Sequence, residues 1–336
     1  MLRGDNPVTY LQSTLSQLFP PKPTFTEANL GDLSGKVYIV TGANTGVGKE
    51  LAQILYSKNA TVYCAARSDE KTLKAISSIK AAIPDSLGAL HFLLLDLADL
   101  STIKASVNEF LSKEKKLHVL FNNAGVMNPP QGAKTTQGYE LQLGVNNLGT
   151  FLFTKLLTPT LLQTAKVEDD PACVRVVWVA SSAAEMPLAP VGGVDLSNLD
   201  YHIEKNGFYK YVVSKAGNYL QGVEFARRHK ADGVVSVPLN PGNLDSDLWR
   251  WMPEWAAAIF RRIFLSPSVF GAYTELFAGL SPEITMDKSG EWVVPWGRLM
   301  PIRKHMLDAS KPVSEGGTGQ AEKFWEWNEG EVKPYL

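Results

Sequence analysis

Two tyrosine and lysine pairs four residues apart, Tyr201/Lys205 and Tyr211/Lys215, are the side chains best suited to moving a proton. A free phenol, with a pKa of about 10, gives up its proton reluctantly near neutral pH, and a neighbouring ammonium group corrects this by favouring the phenolate. In a chain with 11 tyrosines chance supplies roughly one such pair, so context has to choose between the two. Asn206-Gly207 follows Lys205 at once and Gly192-Gly193 precede Tyr201, which puts the first pair in a loop. Tyr211 and Lys215 instead open a Pro-free helical run to Arg228, on one face and one turn apart.

A second set of residues suits a phosphate. Residues 41–48 read Thr-Gly-Ala-Asn-Thr-Gly-Val-Gly, directly after an apolar run and ahead of a helical stretch. Glycines 42, 46 and 48 let the backbone turn tightly and bring a pyrophosphate against the free N–H groups of a helix N-terminus. The spacing is Gly-x-x-x-Gly-x-Gly rather than the usual Gly-x-Gly-x-x-Gly, and a plain turn can also be glycine-rich. Its placement between strand and helix is what makes a nucleotide loop of it.

These groups need a scaffold, and the patterning supplies one. Short apolar, β-branched runs at 37–40, 61–65, 91–95, 118–121, 174–179 and 234–237 have the character of strands buried on both faces of a parallel sheet, with a weaker one at 291–294. Helical stretches at 49–57, 70–82, 100–112, 138–164 and 208–229 separate them. Strict alternation predicts an α/β fold, a doubly wound parallel sheet of Rossmann type with helices on both faces, in a single domain. Residues 1–34 read as an N-terminal arm laid over that domain at 35–300, and residues 301–336 as a C-terminal tail whose polar stretch 309–330 is expected at the surface or partly disordered.

Composition narrows the function classes. With 33 Lys and Arg against 34 Asp and Glu the net charge is −1, which gives no electrostatic case for nucleic acid or an anionic membrane as the main partner. No apolar stretch approaches the ~18 residues of a transmembrane helix, and the start of the chain has no secretory-signal pattern. Cys64 and Cys173 lie in apolar runs, so reduced thiols and a cytoplasmic location are expected. No metal site is expected.

Taken in order, the motifs resemble the classical short-chain dehydrogenase/reductase family over residues 35 to about 300. They are the glycine loop at 41–48, Asp96-Leu97, Asn122-Asn123-Ala124-Gly125, Asn146 within 144–149, Ser181-Ser182, Tyr211 to Lys215, and Pro241-Gly242-Asn243-Leu244-Asp245-Ser246. Details such as Ser281-Pro282-Glu283 and Pro295-Trp296-Gly297-Arg298 look most like its retinol-dehydrogenase-like branch, and particularly fungal members, which often serve secondary metabolism. The resemblance implies hydride transfer between a nicotinamide nucleotide and a carbonyl or alcohol. Tyr211 would be the proton donor, and Lys215 would lower the phenol's pKa and bind the nicotinamide ribose. Ser182, favoured over Ser181, would hold the substrate oxygen, and Asn146 would position Lys215 and water. It also assigns Gly42, Thr45, Gly46, Val47, Gly48, Arg67, Asp96, Asn123, Ala124, Gly125, Pro241, Leu244 and Ser246 to the cofactor.

Cofactor choice turns on the end of the second strand. No acid stands at 64–67 to take a ribose 2′-hydroxyl, whereas Arg67 suits the 2′-phosphate of NADP, with Lys49 as a second cation. The Trp-rich segment 248–265 follows the cofactor loop; a substrate lid reaching about 280, core packing and shallow membrane contact are all open to it. The expected activity is NADP(H)-dependent interconversion of a carbonyl and an alcohol on a lipophilic small molecule, with a homo-oligomer as an open state of assembly. A non-catalytic NADP sensor or scaffold, and an epimerase or dehydratase on the same fold, are the alternatives.

Overall fold

The computed structural model describes residues 7–245 and 265–336, and there each β-branched run becomes a strand. The strands are β1 (Val37–Thr41), β2 (Thr61–Ala66), β3 (Ala89–Leu94), β4 (Val119–Asn122), β5 (Arg175–Val179), β6 (Val235–Leu239), β7 (Val293–Val294) and β8 (Arg298–Leu299). The helices are α1 (Pro7–Leu18), α2 (Gly46–Ser57), α3 (Asp69–Ala82), α4 (Leu100–Lys113), α5 (Leu141–Leu143), α6 (Thr150–Val167), α7 (Gly207–His229), α8 (Ser268–Leu280), α9 (Lys304–Ser310) and α10 (Gln320–Val332). All strands join one sheet in the order β3-β2-β1-β4-β5-β6-β7-β8, parallel except for β8. The order reverses between β1 and β4, and the C-terminal ends of these two strands open the crevice where doubly wound sheets bind ligands.

Burial on both faces explains the lack of polar alternation. Val40, Leu51, Ile79, Phe121, Val177 and Leu276 form the core beneath α2, α3 and α8. Ile39, Phe110, Leu120, Phe151, Trp178 and Phe225 form the opposite core, beneath α4, α6 and α7. β3 departs from the expected pattern: as the edge strand it leaves Leu94 exposed, because no described strand pairs beyond it. No helix among the described residues is long and apolar enough to cross a membrane.

Three further differences bear on the site. The single helix expected over 138–164 is interrupted, with a π-helical turn at Gly144–Gly149 between α5 and α6. The terminal arm is bound tightly: Gln17 of α1 donates to Glu185 Oε2 at 2.8 Å and accepts from Asn240 Nδ2 at 2.8 Å, joining the loops after β5 and β6. The polar stretch 309–330 is not a surface tail. It contains α10, whose Phe324 is fully buried and whose Trp325 packs edge-on against Phe151 with ring centroids 4.6 Å apart. Only one face of α10 is apolar, so its charged outer face masks it in the composition. Phe324→Ala is expected to cost about 3–5 kcal/mol of stability, read from chemical denaturation, whereas a surface tail would tolerate it.

Candidate active site

Every strand end at the crevice contributes a loop, and the first is shaped by glycine. Gly42 has φ +70°, and a Cβ on Gly48 would lie 2.7 Å from the Gly42 carbonyl oxygen and 2.6 Å from Asn123 Nδ2. Side chains there would push α2 away from β1; without them the first turn of α2 directs its free N–H groups into the cleft. Thr41 and Asn123 lock the geometry, because Asn123 Nδ2 donates to Thr41 O at 2.7 Å and the Ala124 N–H donates to Thr41 Oγ1 at 2.9 Å. The Asn123 amide thus braces the loop that lines the cleft.

The cleft measures about 770 Å³, well within the ~300–1,000 Å³ of cofactor and small-molecule sites. At one end stand Arg67, Lys71 and Asp96, followed by Gly42, Thr45, Gly46, Val47, Asn123, Ala124, Gly125, Pro241 and Leu244. At the other end stand Ser181, Ser182, Tyr211 and Lys215, beside Leu18, Met127, Met186 and Phe208. Gly48 lies behind the loop it shapes, and Lys49, the second cation expected, does not line the cleft; Lys71 on α3 does. Arg67 is exposed and makes no ion pair among the described residues, which fits it to an incoming anion. Ser246 and 248–264 of the Trp-rich segment lie outside the described residues.

Asn206 caps α7 by accepting from the Tyr209 N–H at 2.8 Å, and the helix then carries Tyr211 and Lys215 into the cleft. Lys215 Nζ donates to the Val179 carbonyl at the end of β5 at 2.8 Å and sits 6.0 Å from the Tyr211 ring centroid. The competing pair is not assembled: Lys205 lies over Tyr209, and Tyr201 is buried outside the cleft. Burial pushes the Tyr211 phenol up to about 12, against a downward pull from its hydrogen bond with the Ser181 side chain. Burial also brings Lys215 down to about 8, and Glu275 opposes that fall. At the phenol, burial outweighs the Ser181 hydrogen bond.

The contact between Tyr211 and Ser181 differs from the expectation for Ser182. Ser181 continues the extended backbone of β5, with φ −173° and ψ 160°, while Ser182 already begins the following 3₁₀ turn. The Asn146 side chain bonds the backbone after β4 and a serine of α7. Its Oδ1 accepts from the Val126 N–H at 2.8 Å, and its Nδ2 donates to Val126 O at 3.0 Å and Ser214 Oγ at 2.9 Å. It ties the loop after β4 to α7 rather than bonding Lys215 directly. A Cβ on Gly125 would lie 3.2 Å from Asn146 Oδ1 and 3.3 Å from Lys215 Nζ, so both groups close on the same bare backbone.

Sequence reasoning missed the residues that hold the π-helical turn. Asn218 Nδ2 donates to Asn146 O at 2.6 Å, and Gln221 Nε2 donates to Asn147 O at 3.2 Å and Asn328 Oδ1 at 3.1 Å. A π-turn breaks the regular helical ladder, and these amides satisfy carbonyls it leaves. The signal in the sequence was a polar i, i+3 pair on an otherwise buried helix.

The sequence signature of the short chain dehydrogenase family matches residues 36–192. A short-chain dehydrogenase/reductase of Phomopsis amygdali is 58% identical over 330 residues, covering 97% of this chain and 98% of that one. The chain is a short-chain dehydrogenase/reductase. Short-chain dehydrogenase/reductase bet4 of Neocamarosporium betae is 48% identical over 336 residues, covering 99% of this chain and 96% of its own. Among solved structures the fold is similar to that of 3-ketoacyl-(acyl-carrier-protein) reductase from Brucella melitensis complexed with NADH, with a TM-score of 0.60 and 22% identity over 80% of this chain and 99% of that one. As a short-chain dehydrogenase/reductase the protein is an oxidoreductase. The family signature stops before Tyr211 and Lys215, whereas the Phomopsis relative is aligned over nearly the whole chain.

Proposed function

We propose that this short-chain dehydrogenase/reductase uses NADPH to interconvert a carbonyl and an alcohol on a lipophilic small molecule. The observation that carries the reading is the convergence of Tyr211, Ser181 and Lys215 at one end of a cleft whose other end is a glycine loop and a helix N-terminus. The bare backbone at Gly42 and Gly46, which line the cleft, fits a dinucleotide phosphate, as does Arg67, which has no ion pair among the described residues. When bound, NADPH supplies the hydride.

The residues supply the proton and the orientation. Burial holds the proton on Tyr211, the form that donates to an alkoxide when a carbonyl is reduced. Ser181, through the hydroxyl already in contact with the phenol, is the donor that holds the substrate oxygen, with Ser182 beside it. Lys215 gives its charge to the phenol and its N–H groups to the ribose, and Asn146 fixes the loop on which both act. Leu18, Met127, Met186 and Phe208 favour an apolar substrate. The kinship with fungal relatives is in keeping with work in secondary metabolism. NADPH oxidation followed across a panel of lipophilic aldehydes and ketones tests the activity; a folded, NADPH-binding protein that turns over none of them supports the non-catalytic alternative.

Cofactor choice is testable without a substrate. A guanidinium meets a phosphate through paired, charge-assisted hydrogen bonds, each worth ~1.5–3 kcal/mol, so NADPH should bind about 10- to 150-fold more tightly than NADH. Arg67→Asp should invert the order, because a carboxylate repels the 2′-phosphate and accepts from a free 2′-hydroxyl. Titration of both nucleotides by tryptophan fluorescence decides it; equal affinities in the unmodified protein would make Arg67 a solvated strand end.

A further inference from the structure

One charged residue stands in the apolar sequence of α8, and it is fully buried. Glu275 has 0% exposure, and neither carboxyl oxygen meets a hydrogen-bond donor among the described residues. A buried polar group without a partner costs folding free energy and calls for an explanation in function. Its neighbours one turn away on the same face show where it points. A Cβ on Gly271 would run into Leu244 and Val47 of the cofactor loops, and one on Gly279 into Phe121 of β4. Glu275 lies between them, under the C-terminal edge of the sheet. Val179 is at that edge, its side chain in the core shared with Leu276 of α8 and its carbonyl accepting from Lys215.

We propose that Glu275 is a positioning residue coupled through charge to Lys215 across the edge of the sheet, and that it so keeps Lys215 cationic as the site loses its first proton. This rests on the reading of Lys215 as the group that binds the ribose and supports Tyr211. Among the described residues, the surroundings leave these two groups to each other. Arg175, on β5, donates to the Ala278 and Ser281 carbonyls at the far end of α8. Glu27 and Glu50 act on Tyr273, another residue of α8. From the sheet and α2 the core packed with α8 presents Leu51, Leu55, Phe121, Val177, Val179 and Leu239. Tyr211 is engaged with Ser181. Burial pushes the Glu275 carboxyl up to about 8, and Lys215 is the charged group that pulls against it.

Two acids that titrate in the same range and feel each other lose protons as a pair. Below that range the pair is a neutral carboxyl group and an ammonium. Its first proton can leave from Glu275 and create an ion pair, so the lysine retains its charge. With glutamine at 275 the only proton to lose is the lysine's own, and burial then removes it at lower pH.

The test is the titration of Lys215 in the nucleotide-free full chain carrying ¹³Cε-lysine, with its resonance assigned by its loss in Lys215→Arg. In Glu275→Gln the midpoint should fall by about one unit or more. The pH at which NADPH affinity weakens on the alkaline side should fall with it. An unchanged lysine midpoint overturns the proposal. Should the glutamine variant not fold, the unmodified protein suffices: its Lys215 resonance should record a second inflection as Glu275 ionises, and a single-step curve overturns the proposal. Because the resonance is read without nucleotide, a Lys215 that proves not to contact the ribose leaves this result standing and refutes the ribose reading alone.

Discussion

Replacing Tyr211 with phenylalanine is expected to lower kcat/KM by about 10²–10⁴-fold, the usual weight of a lost general acid, while NADPH affinity stays near that of the unmodified protein. The substitution removes one oxygen and keeps the ring, which is buried and lies 6.4 Å from the Phe208 ring at an interplanar angle of 27°. The packing that shapes the cleft therefore survives. Turnover of whichever carbonyl compound is reduced gives the rate, and fluorescence titration gives the affinity. Tyr201→Phe is the matched control, expected to keep its rate, since Tyr201 is buried and does not line the cleft. A Tyr211→Phe protein that keeps its rate would remove Tyr211 from the chemistry.

The second large effect should come from Lys215→Ala, which changes binding and proton transfer together. Loss of a charge-assisted hydrogen bond worth ~1.5–3 kcal/mol weakens NADPH binding by about 10- to 150-fold. In the alcohol-oxidising direction the phenol has to be deprotonated to accept a proton. Without the neighbouring ammonium the phenolate loses its cation, the phenol pKa rises further, and the acid limb of the rate profile moves to higher pH. A pH series of initial rates, paired with nucleotide titration, separates the two roles. Unchanged affinity with a shifted profile would leave Lys215 its electrostatic role and remove the ribose contact.

The parts of the site written in local spacing were legible in the sequence. Tyr211 and Lys215 are one helical turn apart, and the glycine loop is contiguous, so neither needs long-range information. The β-branched runs likewise declared a buried parallel sheet. Adjacent serines were harder. Ser181 and Ser182 differ by where the extended chain ends and a 3₁₀ turn begins, which no composition fixes. Lys71 was missed in favour of Lys49 because which side of a helix meets the cleft depends on packing. Glu275 and Asn328 are buried on helices far along the chain, and the bond from Gln221 to Asn328 is a tertiary contact that leaves no periodic trace. α10 was hidden because its charged face outweighs its aromatic one in any average.

The bridge made by Gln17 has a consequence for how this sequence can vary. Its amide donates to the Glu185 carboxyl group and accepts from Asn240, on opposite sides of one planar group. Glutamate at 17 would set two carboxyl groups against each other, and lysine could accept nothing from Asn240. Asn240 in turn holds the Gly242 N–H at 3.0 Å, next to the cofactor loop. Positions 17, 185 and 240, far apart along the chain, are therefore chemically interdependent, and a change at one of them removes a hydrogen-bond partner from another.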